Sequence, residues 1–88
     1  MNTGHAPDQL DQALARIRGQ AKSADRMVAV ETDASGRITN LLISPHVREL
    51  EPEELAARIV EQHRAARLRA EELSRQTVAA LTNAGRES

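Results

Sequence analysis

The chain has 88 residues, 12 basic and 13 acidic side chains, a net charge of −1, no aromatic residue and no cysteine, which leaves room for one small domain. Balanced charge argues against a uniformly basic nucleic-acid binder, and the lack of cysteine excludes disulfide staples and thiolate metal ligands. Without aromatics the core must come from Leu, Ile, Val, Met and Ala, so a lone chain buries little and association of two chains is expected.

Residues 1–6 are small and polar and read as a disordered N-terminus. They show no basic block followed by an apolar one, and no apolar stretch approaches the ~20 residues of a membrane span, so a cytoplasmic protein without membrane contact is expected. Pro7 and Asp8 suit a helix start. Leu10, Ala13, Leu14, Ile17 and Ala21 follow at helical spacing, and this periodicity carries the first helix to a point between Ala15 and Ala24. Gly19 and the run Ser23-Ala24-Asp25 both look like breakers.

Val28 and Val30 alternate with Ala29 and Glu31 as a half-buried strand does. Asp33-Ala34-Ser35-Gly36 is a turn, with Gly36 free to adopt positive φ. The return strand spans Arg37 to Ser44. Its adjacent Leu41 and Leu42 break strict alternation and predict a bulge or a strand covered on both faces. Pro45 ends the pairing.

A long helix begins near Pro52, with Glu53 and Glu54 in its first turn, and is expected to end at Asn83-Ala84 with Gly85 just beyond. Residues 7–84 then form a single domain and 85–88 a tail. About 33 residues give a helix of roughly 50 Å, longer than one hairpin can cover. Ile59, Ala66, Leu73 and Ala80 repeat every seven residues as a coiled-coil-like seam, which again points to a dimer.

Catalytic patterns are missing. His5, His46 and His63 are scattered, and His63, beside the apolar stripe, reads as a satisfied interface histidine. Glu51, Glu53 and Glu54 are explained by the helix N-terminus. Neither a Gly-rich phosphate loop nor a nucleophile arrangement is present, so no enzyme, metal or cofactor is expected. Arginine remains: 11 of the 12 basic residues are Arg, and Lys22 is the one lysine. On the long helix Arg58 and Arg69 share one flank, Arg64 and Arg75 the outer face, and Arg67 the opposite flank. Either they form a phosphate-contacting row or they pair with acids at i,i+4 (Glu54–Arg58, Arg67–Glu71, Glu71–Arg75), each pair contributing only ~0.2–0.5 kcal/mol. On residue pattern alone, the pairing account is the stronger. Arg16, Arg18, Lys22 and Arg26 form a second cluster with a clearer positive excess.

Met27-Val28-Ala29-Val30, Gly36-Arg37-Ile38, Leu41-Leu42-Ile43-Ser44-Pro45 and Ala70-Glu71-Glu72-Leu73-Ser74, in that order and spacing, resemble the YbaB/EbfC family of nucleoid-associated proteins, small bacterial proteins that bind DNA as dimers. The likeness covers roughly residues 8–82. Two positions depart from the family's pattern: Ser23-Ala24-Asp25-Arg26 replaces a glycine-rich turn, and Ser44 stands where an acid is usual before the proline.

The resemblance implies an α+β fold: a short N-terminal helix, a three-stranded antiparallel sheet and a long C-terminal helix, paired into an intertwined, tweezer-shaped dimer. It places an extra strand within Arg16 to Ser23, in conflict with the helical periodicity there, and shortens the first helix to about residues 7–16. The function implied is a nucleoid-associated homodimer in the cytoplasm that binds double-stranded DNA weakly, with little sequence preference. Arg16, Arg18, Lys22, Arg58, Arg64, Arg67 and Arg69 are the expected phosphate contacts, and Leu41, Ile43, Leu55, Ile59, Ala66 and Leu73 the expected dimer interface. The alternative is a dimeric scaffold or accessory subunit that meets a protein partner through Leu42 and Leu68.

Overall fold

A computed structural model of the protein describes residues 5–87, with side-chain environments over 9–83. The elements are helix α1 (His5–Ala15), strands β1 (Gly19–Lys22), β2 (Val28–Thr32) and β3 (Ile38–Ile43), a 3-10 turn (Pro45–Glu49) and helix α2 (Pro52–Glu87). The sheet is antiparallel in the order β1-β2-β3. Helix, three-stranded sheet and long helix are thus as expected. The boundaries differ in places. Helix α1 starts at His5 rather than Pro7, which leaves only residues 1–4 of the supposed disordered segment, outside the described residues. Helix α2 runs through Gly85 to Glu87 rather than stopping at Ala84. One glycine costs a helix only about 1 kcal/mol, too little to stop it unaided.

Helix α1 ends where the sequence stripe does not. Its last turn closes with Arg16 N–H to Ala13 O and Ile17 N–H to Leu14 O. The Arg18 guanidinium donates to Ala15 O at 3.0 Å and Ile17 O at 2.7 Å, placing positive charge at the negative end of the helix. The chain then extends into β1 because Gly19 lies directly on the backbone of α2. A Cβ there would stand 2.1 Å from Ala66 O and 2.6 Å from Ala70 N. Only glycine allows that approach, so the helical periodicity through Ala21 is overridden by packing.

Two turns are fixed by short polar side chains. Between β1 and β2, Ser23 Oγ accepts from the Met27 and Val28 N–H groups and donates to Asp25 Oδ1 at 2.7 Å. Arg26 takes φ +62°, the left-handed region that costs a non-glycine residue roughly 1 kcal/mol or more. Between β2 and β3, Asp33 Oδ1 accepts from Ser35 N, Ser35 Oγ and Arg37 N, and Gly36 sits at φ +90°.

The bulge falls beside this second turn, where Thr32 pairs with Ile38 and Glu31 with Asn40. It does not lie at Leu41-Leu42, which simply point to opposite faces, Leu41 opposite Val30 and Leu42 opposite Ala29. After β3, Ser44 Oγ caps the 3-10 turn by accepting from His46 N–H at 3.1 Å, work an acid could also do there. Glu54 Oε1 accepts from Glu51 N–H at 2.8 Å, the reaching-back half of a capping box at the start of α2.

Val28, Val30, Thr32 and Ala66 form the core, flanked by Ala21, Met27, Leu55 and Ile59. Helix α2 crosses β1 and β2 and leaves β3 uncovered. Helix α1 packs against α2, and the assembly is elongated, 58 × 23 × 16 Å. Its radius of gyration is 17.1 Å, against about 12 Å for a compact chain of this length.

Candidate nucleic-acid interface

The two flanks of α2 meet different parts of the sheet. Arg58 Nε reaches the β1–β2 turn and pairs with Asp25 Oδ2 at 2.7 Å. On the other flank His63 Nε2 donates to Gly36 O at 2.8 Å, and the aliphatic stem of Arg67 lies over Gly36. Continuing that second flank toward the helix start at i−3 and i−4 spacing gives Val60 and Ala56, on the side of the helix that meets the β2–β3 turn. Ile38, Leu41 and Ile43, on the face of β3 turned toward α2, are all exposed, and Val60 is 60 % exposed. One edge of the molecule is therefore apolar and unpaired.

The opposite edge is basic. Arg16 and Arg18 precede β1, Lys22 ends it, Arg26 follows in the turn, and Arg69 stands beside Ala70, which touches Gly19. All five are exposed. Among the described residues only two ion pairs form, Arg58–Asp25 and Arg75–Glu72. The i,i+4 pairs expected to neutralise α2 do not form. Arg58 takes Asp25 and the Glu54 backbone carbonyl instead, and Arg75 takes Glu72 at i,i+3. Within that described set, Arg64, Arg67 and Arg69 keep their charge uncompensated at short range.

The structure also separates the seven cations singled out by the sequence. Arg58 is half-buried in its ion pair, part of the joint between turn and helix rather than an open contact. Arg64 borders a shallow depression on α2 with Glu53, Ala56, Ala57, Val60 and Glu61. Arg67 lies over the β2–β3 turn. Arg16, Arg18, Lys22 and Arg69 share the basic edge. Of the apolar set, Ala66 is 0 % exposed beneath β1 and has no surface to offer a partner. Leu55 and Ile59 are half-buried against the core, whereas Leu41, Ile43 and Leu73 remain exposed.

Carboxylates near the basic edge are held as anions. The Ser23 hydroxyl, the Arg58 guanidinium and the Met27 N–H lower the Asp25 pKa from 3.8 to about 2. Gln20 and Thr39 hydrogen bonds lower that of Glu31. The face of the sheet turned away from α2 carries two cross-strand rows, Gln20–Glu31–Asn40 and Lys22–Ala29–Leu42. A trough of about 760 Å³ runs over them, with Arg26 and Arg69 also on its wall. Arg26, which the sequence groups with Arg16, Arg18 and Lys22 as a basic cluster, stands outside the set of expected phosphate contacts. Among the described residues no three His, Asp or Glu side chains are placed to hold a metal ion, and no helix is long and apolar enough to cross a membrane.

A short helix, a three-stranded antiparallel sheet and a long second helix, with uncompensated cations gathered on one edge, define a small α+β protein suited to meeting a polyanion. The YbaB/EbfC DNA-binding family model matches residues 5–85, and the chain belongs to that family. No curated protein matches the chain. The family is a non-enzymatic, DNA-binding one, and membership supports a nucleoid-associated DNA-binding role and a nucleoid location.

Proposed function

We propose that the protein acts as a homodimer that binds double-stranded DNA through phosphate contacts with little sequence preference. The observation that carries this reading is the opposition of two edges, an apolar one along β3 and a basic one along β1. A second copy seated on Ile38, Leu41, Ile43 and Val60 hides the first and leaves the second free on both protomers. Arg16, Arg18, Lys22 and Arg69 are then the principal phosphate contacts, with Arg64 and Arg67 adding charge from α2. Arg58 is spent on Asp25. With no aromatic side chain in the chain, base stacking contributes nothing, and affinity comes from neutralised phosphates.

The test is fluorescence anisotropy of a labelled duplex of about 30 base pairs. With four such contacts on each protomer, a dimer neutralises about eight phosphates and loses on the order of 10⁴-fold in affinity between about 50 and 200 mM salt. Absence of saturable binding even at the lower salt sinks the DNA reading. It then favours the scaffold alternative, for which Leu42 and Leu68, both more than half exposed, are the contacts to mutate.

A further inference from the structure

The face of the sheet turned away from α2 is bordered by cations from three different elements. Lys22 ends one cross-strand row, opposite Ala29 and then Leu42. Arg69 approaches from α2 beside β1, and Arg26 from the turn between β1 and β2. The three cations thus border one trough while coming from a strand, a turn and a helix. None of them makes an ion pair or a side-chain hydrogen bond among the described residues. The one carboxylate in the trough, Glu31, lies a row away, about 7 Å along the strand. Its oxygens are already engaged, Oε2 by Gln20 and Oε1 by Thr39.

Arg26 supplies an independent observation. At φ +62° it occupies a left-handed position that hairpins commonly give to glycine, and its side chain forms no bond among the described residues to offset that. The backbone at Arg26 closes the turn, its N–H donating to Ser23 O at 2.9 Å, and the long cationic side chain is left free at the wall of the trough. The apolar floor at Ala29 and the small amide Asn40 leave the trough open to a broad anionic surface, and the chain has no aromatic side chain on which a single strand could stack.

We propose that this face is a phosphate-binding cleft in which Lys22, Arg26 and Arg69 clasp the backbone of duplex DNA, so that the sheet as well as the helices grips the double helix. This rests on the DNA-binding reading. It adds a surface to it, and it makes Arg26 a binding residue.

Arg26→Gly separates binding from folding, because glycine relieves the turn. The variant should keep its Tm or gain up to about 4 °C. It should nevertheless bind the duplex about tenfold more weakly at low salt. The slope of log K against log salt should shrink by about 1.8, because each protomer of a dimer then neutralises one phosphate fewer. Arg26→Lys should restore binding to within about threefold, since a point charge suffices for phosphate. Arg75→Ala, which removes a guanidinium already paired with Glu72, should change neither affinity nor slope.

Wild-type affinity and slope in Arg26→Gly would overturn the cleft while leaving the DNA reading intact. So would an equal loss in Arg75→Ala, which would mean that total charge, not this face, sets affinity. If the wild-type protein itself fails to bind duplex at low salt, both proposals fall together.

Discussion

Strands β2 and β3 are neighbours in one sheet, and they have opposite fates. Val28, Val30 and Thr32 of β2 are sealed beneath α2, while all six residues of β3 are exposed and Leu42 reaches 61 %. Yet β3, with Ile38, Leu41, Leu42 and Ile43, is the more apolar of the two. The difference comes from where α2 can lie. Gly19 lets β1 touch the helix backbone at Ala66 and Ala70, which draws α2 toward the β1 side and away from β3. Hydrophobicity states that a strand needs cover; it does not state which chain supplies it.

The largest break in this comparison comes from Gly19→Val. Its side chain would have to displace the Ala66 carbonyl, at a cost of about 3 kcal/mol or more, and loss of the cooperative urea transition is the expected result. Leu41→Glu attacks the other half. The charge would face a second protomer, so helical circular dichroism should persist while dimerisation weakens by about 2 kcal/mol, roughly 30-fold, in sedimentation equilibrium.

A smaller effect lies in acid. Asp25 has a folded pKa of about 2 against an ordinary 3.8, so its contribution is present above about pH 4 and is lost as the pH falls toward 2. Glu31, Asp33 and Glu72, whose pKa values are also lowered by their hydrogen bonds, act with the same sign. Tm measured across this window should fall with acid in the wild type and fall less steeply in Asp25→Asn, from a lower starting value. Parallel curves would show that the Ser23–Asp25–Arg58 joint carries no acid sensitivity. The smallest effect belongs to Leu42→Ser. On the open face it should move stability by no more than about 0.5 kcal/mol and leave the dimer unchanged, sharpening the contrast with Leu41 one residue away.

Local signals made much of this fold readable. The alternation of Val28 and Val30, the Asp33–Gly36 turn, Pro45 and the first turn of α2 each act within a few residues. Strand β1 was hidden because Ile17 and Ala21 fit a helical stripe, and the reason for a strand, the contact of Gly19 with α2, lies some fifty residues away in the chain. It came from the family resemblance instead. The seven-residue seam was also ambiguous. Ile59 and Ala66 turn out to face the chain's own sheet, while Leu73 stays exposed, and one period serves both uses. The basic residues were legible as types and not as pairs. Nothing near Arg58 in sequence announces Asp25, and the i,i+4 acids expected to neutralise α2 do not reach their partners.

The contrast between the two strands rests on the proposal that a second copy covers β3, and light scattering at micromolar concentration, in wild type and Leu41→Glu side by side, tests it most directly. A dimer built on β3 predicts twice the 9.6 kDa chain mass for the wild type and a shift toward the single-chain mass for the variant. A wild-type protein that stays at 9.6 kDa would mean that β3 and the Val60 flank are open in solution, and the assembly proposed for DNA binding would have to be abandoned.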